Sequence, residues 1–288
     1  MVRRHSPSTA RARDQWGTVA DVISVRNIVK AFGGMRAVDD CSFDIADGTI
    51  TGLIGPNGAG KSTLFGIIAG FEPPDSGHIY LGDEDITALP PHRRFHRGLL
   101  RTFQTPRGFE NMTVLESLMM VPAHQTGESL AGAWFRWGRV KAEERRIREK
   151  AEDVLEFLQL THLRDTLAGR LSGGQKKLVE LGRTMMTDAR VVLLDEPGAG
   201  VNRTLLARLA EDIKRLNLER GYTFCIIEHD MDLIAHLCHP VVCMAQGRVL
   251  AEGSMAEIRA DERVLDAYLG GDPSQAGTSA DETREAAP

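Results

Sequence analysis

Ile50-Thr51-Gly52-Leu53-Ile54-Gly55-Pro56-Asn57-Gly58-Ala59-Gly60-Lys61-Ser62-Thr63 is the stretch that decides the fold. Its first five residues, ITGLI, are a short apolar run of the kind a buried strand shows. The next eight, GPNGAGKS, fit the pattern G-x-x-x-x-G-K-[ST], and Lys61–Ala69 (KSTLFGIIA) reads as a helix. Strand, glycine-rich loop and helix in succession form the unit of an α/β fold. The glycines permit a tight loop with its N–H groups turned inward, and the helix start adds positive dipole. Lys61 can neutralise phosphate charge, and the Ser62 hydroxyl suits Mg²⁺. In a chain of this composition the pattern is expected by chance about 0.007 times. Gly55, Asn57, Gly58, Ala59, Gly60, Lys61, Ser62 and Thr63 are therefore expected to cradle phosphates.

Strands and helices alternate outward from this loop. Val22–Val29 and Cys41–Ile45 alternate in a strand-like way. Val191–Leu194 (VVLL) and Phe224–Ile227 (FCII) are continuous apolar runs, as expected of parallel strands buried on both faces. Helices are expected at Thr204–Arg220 and Met231–Leu237. From about Thr113 to Met186 the reading is mostly helical, with Val114–Val121, a polar loop, and Val140–Leu158. That last stretch has apolar spacing at Val154, Leu155 and Leu158, and its charge run Lys141–Lys150 mixes both signs, as a solvated face does. An α/β core thus holds a helical insert. Residues 1–20 and 271–288 are small, polar and poor in apolar content, and read as disordered tails.

Composition narrows the class. The 288 residues are 42% hydrophobic and 26% charged, with 29 Gly and 12 Pro, which excludes collagen-like and wholly disordered chains. The net charge of -5 gives no global basic field toward nucleic acid. Cys41, Cys225, Cys238 and Cys243 form no C-x-x-C pair and read as reduced, buried thiols. No apolar stretch approaches the ~20 residues of a membrane span, and the N-terminus has no apolar h-region. Any membrane role is expected to be peripheral.

Two further constellations carry chemistry. Asp195-Glu196 follows VVLL, so a buried strand delivers two carboxylates where α/β sheets place ligands. Asp195 suits Mg²⁺, and Glu196 suits polarising a water. Leu171-Ser172-Gly173-Gly174-Gln175 precedes a helical run, Lys176–Met186, and offers free N–H groups at a helix start, a second anion site. Glu228, His229, Asp230, Asp232, His236, His239 and Cys243 include one i,i+4 pair, Asp232 and His236, but no recognised metal-ligand pattern. The basic run His92–Arg97 (HRRFHR) is short and precedes a strand; it reads as a helix face near the nucleotide or a membrane partner.

GPNGAGKS, LSGGQ and VVLLDEP, in this order, resemble the nucleotide-binding subunit of ATP-binding cassette (ABC) transporters over about residues 21–270. The resemblance implies a P-loop NTPase core with a mixed, largely parallel sheet, an antiparallel β-subdomain, and an inserted α-helical subdomain at about 105–186. It implies that Phe32 stacks on adenine and that Gln104, after the strand Leu100–Phe103, senses Mg²⁺ and γ-phosphate. By the same likeness Ser62, Gln104 and Asp195 hold Mg²⁺, Glu196 orients water, His229 is the switch histidine, and Lys61 completes the catalytic set. Ser172, Gly173, Gly174 and Gln175 then face a neighbouring chain's ATP. One departure stands out, since the family's loop after DEP usually ends in Asp where this chain has Gly200-Val201-Asn202.

A narrower likeness follows from AFGGMRAVDD, LLRTFQ, NMTVLESL, LSGGQKKLVELGRTMM, DEPGAGVN and DAYLG. Together they resemble the hydrophobic (branched-chain) amino-acid importers, with urea and short-chain amide importers close behind. The partners so implied are a second ATP-binding subunit, polytopic permease subunits and, indirectly, a solute-binding protein, on the cytoplasmic face of the membrane. Nucleic acid is not among them. The alternatives are a soluble ATPase switch in nucleic-acid or ribosome work, opposed by a single cassette without a basic arm, and the ATPase of a lipid-extracting exporter.

Overall fold

A computed structural model describes residues 23–102, 110–123, 125–128, 134 and 137–269 of the chain. Gln104 and both tails lie outside the described residues. The four-stranded antiparallel sheet has the order β2 (Met35–Ile45), β1 (Ile23–Phe32), β4 (Ser76–Leu81), β5 (Glu84–Asp85). The six-stranded sheet runs β10 (Arg248–Gly253), β9 (Val241–Ala245), β3 (Ile50–Ile54), β8 (Thr223–Ile227), β7 (Val191–Asp195), β6 (Leu99–Arg101). All of its neighbours pair parallel except β10 with β9.

The continuous apolar runs are explained by what covers the two faces of this sheet. Leu53, Val191, Leu193, Cys225 and Ile227 join a core with β1, β2 and helix α1 (Lys61–Ala69). Their alternates Ile54, Val192, Leu194, Phe224 and Ile226 join a second core with the remaining helices. With both faces dry, neither of a strand's two alternating faces turns to solvent, so no alternating polar pattern is left. Here β1 and β2 run longer than the alternation indicates. A kink at Asn27 and Asp40, both with positive φ and joined by an Asn27 Nδ2 to Asp40 Oδ1 bond of 2.8 Å, interrupts the pattern that marks a strand.

The insert is built from α3 (Val114–Met119), α4 (Trp137–Phe157) and α5 (Gly173–Met186). Leu115, Leu118, Ile147, Ala151, Val154, Leu155, Leu178, Leu181 and Met185 are buried together between them. Gly182 sits at the crossing, where a Cβ would lie 3.0 Å from Leu158 Cδ1 and 3.1 Å from Val154 Cγ1. The run Lys141–Lys150 is mostly solvated, with Ile147 buried. Two of its charges are tied down: Glu143 Oε2 accepts from Thr126 N at 2.8 Å, and Lys150 donates to the carbonyls of Met186 (3.0 Å) and Thr187 (3.4 Å) at the C-terminal end of α5, where the helix dipole favours a cation. α6 (Arg203–Arg220), α7 (Met231–Leu237), α8 (Met255–Ala260) and α9 (Glu262–Leu269) complete the described helices.

The basic run His92–Arg97 holds a surprise at its centre. Arg94, on the short helix α2 (Pro91–Phe95), is 1% exposed and donates to the carbonyls of Ile67, Ile68, Thr87 and Leu89 at 2.7–2.8 Å. It ties down the last carbonyls of α1, so this arginine is structural and offers no face to a ligand. Burial lowers its pKa to about 10. No described helix is long and apolar enough to cross a membrane.

Candidate functional site

The loop between β3 and α1 is shaped by glycines that no other residue could replace. Gly55 has φ +148°, and a Cβ there would lie 2.0 Å from the Met244 carbonyl oxygen. Gly60 has φ +96°, with the Ala37 carbonyl oxygen 2.2 Å from the Cβ position. Strand β2 therefore packs directly on the loop. The turn after β9 holds it from the other side, Gly247 N donating to Ala59 O at 3.1 Å. Lys61 is 6% exposed and donates to the carbonyls of Gly55 (2.6 Å) and Pro56 (3.0 Å). Burial lowers its pKa, against the opposing pull of Glu196, Cys243 and Asp195.

A cleft of about 380 Å³ opens over this loop. It brings together Phe32, Asn57, Gly58, Ala59, Gly60, Lys61, Ser62, Thr63, Glu196 and His229, all expected from the sequence. Met35, Arg36 and Ala37 line it too and were not expected. Nothing in their residue types marks them, since Met35 and Arg36 are exposed at the start of β2. Phe32 stands 47% exposed at the end of β1, its ring 5.4 Å from Lys30 Nζ.

Glu196 and His229 meet across the rim. Glu196 Oε1 lies 3.0 Å from His229 Nε2, so the ring N–H donates to the carboxylate. Glu196 follows β7 with φ +49°, a left-handed conformation that non-glycine residues seldom adopt. Its backbone is held from two directions, by Glu196 N donating to Ile227 O at 2.9 Å and by Lys177 Nζ donating to Glu196 O at 3.3 Å. Asp195, one residue earlier, is buried beneath the rim, and its Oδ2 accepts from Arg101 Nη2 at 2.7 Å. Neither Arg101 nor Lys177 was singled out from the sequence; a lone basic residue next to a strand or in a helix gives no hint of what it will touch.

Ser172 to Gln175 lie apart from this cleft. Ser172 and Gln175 form a reciprocal cap at the start of α5, with Ser172 N donating to Gln175 Oε1 at 2.9 Å and Gln175 N to Ser172 Oγ at 3.4 Å. That cap is why the helix begins at Gly173 and not at Lys176. Gly174 packs closely on α6: a Cβ would lie 2.0 Å from Leu205 Cδ2, and that side chain would have to move. Ser172 and Gln175 instead border a separate hollow of about 450 Å³ with Asn202, Thr204, Leu205 and Arg208. Asn202 caps α6, its Oδ1 accepting from Leu205 N at 3.0 Å. Asp232 and His236 do not converge as ligands, since Asp232 faces Arg259 at 3.7 Å and His236 faces Glu211 at 3.2 Å.

Chemically, the cleft combines a glycine-rich loop at a helix start, a buried ammonium, a hydroxyl on the first helical turn and a carboxylate–imidazole pair. That set suits binding a polyphosphate and activating a water beside it. Comparison with known proteins agrees. Residues 38–199 match the family described as ABC transporter, and residues 248–273 match the one described as branched-chain amino acid ATP-binding cassette transporter. The chain is 42% identical over 257 residues to a probable branched-chain amino acid transport ATP-binding protein LivG of Methanocaldococcus jannaschii, covering 87% of this chain and 98% of that one. It is 34% identical over 250 residues to the lipopolysaccharide export system ATP-binding protein LptB of Escherichia coli K12, covering 87% and 98%. The solved ADP conformation of an ATP-binding cassette of an ABC transporter superposes with a TM-score of 0.74 at 39% identity, over 87% of this chain and 99% of that one.

Proposed function

The chain belongs to the ABC transporter family as an ATP-binding, ATP-hydrolysing subunit, and we propose that it powers uptake of branched-chain or similar hydrophobic amino acids through membrane-embedded permease subunits. The solute reading is supported by the match at 248–273 and by the LivG relative. The lipid-exporter reading has support from LptB at lower identity. In this reading the subunit works on the cytoplasmic face, with a separate solute-binding protein delivering the solute. A cassette domain at 21–270, with its helical insert at about 105–186, is the moving part.

The Glu196–His229 contact at the rim of the Lys61 cleft carries the mechanistic proposal. ATP binds with its phosphates along Gly55–Thr63 and adenine against Phe32. Lys61 gives up its two carbonyl partners to β- and γ-phosphate oxygens. Glu196 orients a water for in-line attack on the γ-phosphorus, and His229 steadies both Glu196 and the charge that develops. Most of the rate then comes from positioning and electrostatics. Asp195, Ser62 and Gln104 carry the hard oxygen donors that Mg²⁺ takes and would hold it; Asp195 is a buried carboxylate with the Arg101 guanidinium already beside it. Mg²⁺ held there would neutralise phosphate charge.

A site open on one side leaves the γ-phosphate in water, where every contact is weakened. We assign the closing face to Ser172, Gly173, Gly174 and Gln175 of a second cassette, a second copy or a paralogue. This is supported by Ser172 and Gln175 bordering a hollow separate from the Lys61 cleft of the same chain. The test is Glu196→Gln. ATP affinity should be kept while turnover slows by at least ~100-fold, as for loss of a general base, with uncleaved ATP held in a stable dimer. Turnover near the wild-type rate would refute the assignment.

A further inference from the structure

Glu228 occupies the position directly after β8 and is 5% exposed. A carboxylate that deep in the fold demands donors, and it has two from the backbone. Its Oε1 accepts from Gly198 N at 2.5 Å, and its Oε2 accepts from His229 N at 3.1 Å. The first donor lies two residues beyond Glu196; the second belongs to the histidine that meets Glu196.

The bonds form a closed ring. It runs from Glu196 through Pro197 to Gly198, across to the Glu228 carboxylate, on to His229, and back through His229 Nε2 to Glu196 Oε1 at 3.0 Å. The bond from Glu196 N to Ile227 O, 2.9 Å, braces the ring at its base. Gly198 is built for this contact. A Cβ there would lie 2.8 Å from Glu228 Oε1 and 2.7 Å from Leu206 Cδ1, so a side chain would crowd the carboxylate where it accepts this bond. The left-handed backbone of Glu196, φ +49°, needs such outside support to persist. Burial and the nearby Glu196 raise the pKa of Glu228, while the two N–H donors and His229 favour its charged form.

We propose that Glu228 is a positioning residue for ATP hydrolysis: by accepting from Gly198 and His229 together, it fixes the loop bearing Glu196 against the loop bearing His229. The proposal rests on the reading of Glu196 and His229 given above. Glu228 is not among the residues lining the Lys61 cleft, whereas Glu196 and His229 are, so it acts by setting the distance between those two groups.

The test is Glu228→Gln in the full-length chain, with steady-state ATPase, binding of a fluorescent ATP analogue and thermal unfolding measured side by side. The amide keeps one acceptor and turns a donor toward the other N–H group. Turnover should fall by at least ~10-fold, while KM and the analogue's Kd stay within about threefold. In a His229→Ala background, followed by single turnover, the same change should cost less than about threefold, because the geometry it enforces has already gone. Unchanged turnover, or an equal loss in both backgrounds, overturns the proposal. If Glu228→Gln fails to fold, Gly198→Ala crowds the same carboxylate from the other side, and the same pattern is required of it. Fast Glu196→Gln would overturn the underlying catalytic reading; slow Glu196→Gln with full-rate Glu228→Gln would overturn only the role of Glu228.

Discussion

Arg101 Nη2 donates to Asp195 Oδ2 at 2.7 Å, in a pair whose side chains are only 13% and 8% exposed. The two residues are delivered by adjacent parallel strands, β6 and β7, with Arg101 opposite Leu193 in the ladder. The guanidinium also packs on α1, its Nη1 3.4 Å from where a Cβ at Gly66 would stand. A cation is thus in place beside the carboxylate that we propose as a Mg²⁺ ligand.

Breaking a buried ion pair by removing one partner leaves an uncompensated charge. Arg101→Ala should therefore cost about 3 kcal/mol in denaturant unfolding. The Asp195 charge, left unpaired, should then depend more on a bound cation. Mg²⁺ with ATP is expected to raise the thermal midpoint of Arg101→Ala by more than it raises that of the wild type. An equal or smaller rise would show that Arg101 does not hold Asp195 for the cation.

The four cysteines give a pH prediction. All are free and buried. Burial raises the thiols of Cys41 and Cys238 to about 12 and that of Cys243 to about 11, and it raises Cys225 as well. In the unfolded chain thiols ionise near the ordinary value of 9.0. The native state keeps protons that the unfolded state loses, so this contribution is fully present below pH 9 and declines as pH rises toward the folded values. The stability difference between wild type and Cys238→Ala should shrink by roughly 2 kcal/mol between pH 8 and pH 10.5. A constant difference in urea unfolding across that range would refute it, as would rapid reaction of the native thiols with a disulfide reagent at pH 8.

Most of this site was legible because its residues are chemically distinctive. Gly55–Thr63 announced itself by pattern, and VVLL before Asp195-Glu196 by an apolar run that only a doubly covered strand tolerates. What escaped were residues whose role depends on a partner distant in sequence. Arg101 gains meaning from Asp195, Lys177 from the Glu196 carbonyl, and Glu228 from Gly198. Arg94 was read outward as part of a basic run, yet its four carbonyl partners come from residues 67–89. The lengths of β1 and β2 were hidden because the kink at Asn27 and Asp40 shifts the alternation. Periodicity reports burial, and it fails where burial is set by long-range contact.

Asn202 shows how a departure from the family pattern acquires a physical role. It stands at the N-cap of α6 with φ -69° and ψ 158°, and its Oδ1 accepts the Leu205 N–H at 3.0 Å. An Asp oxygen would make the same bond, since Asn and Asp cap helices about equally well. It would add a negative charge at the positive end of the helix dipole, worth about 0.5 kcal/mol at an exposed position. Asn202→Asp should then be as stable as the wild type or slightly more so, whereas Asn202→Ala should lose about 1 kcal/mol. Asn202 borders the same hollow as Ser172 and Gln175, so the ATPase rate tests whether shape or charge matters there. If shape matters, Asn202→Asp changes the rate by less than about tenfold, or ~1.4 kcal/mol, while Asn202→Ala slows it more. An Asp variant that is stable but inactive, beside an Ala variant that remains active, would show that the uncharged amide is what this loop requires.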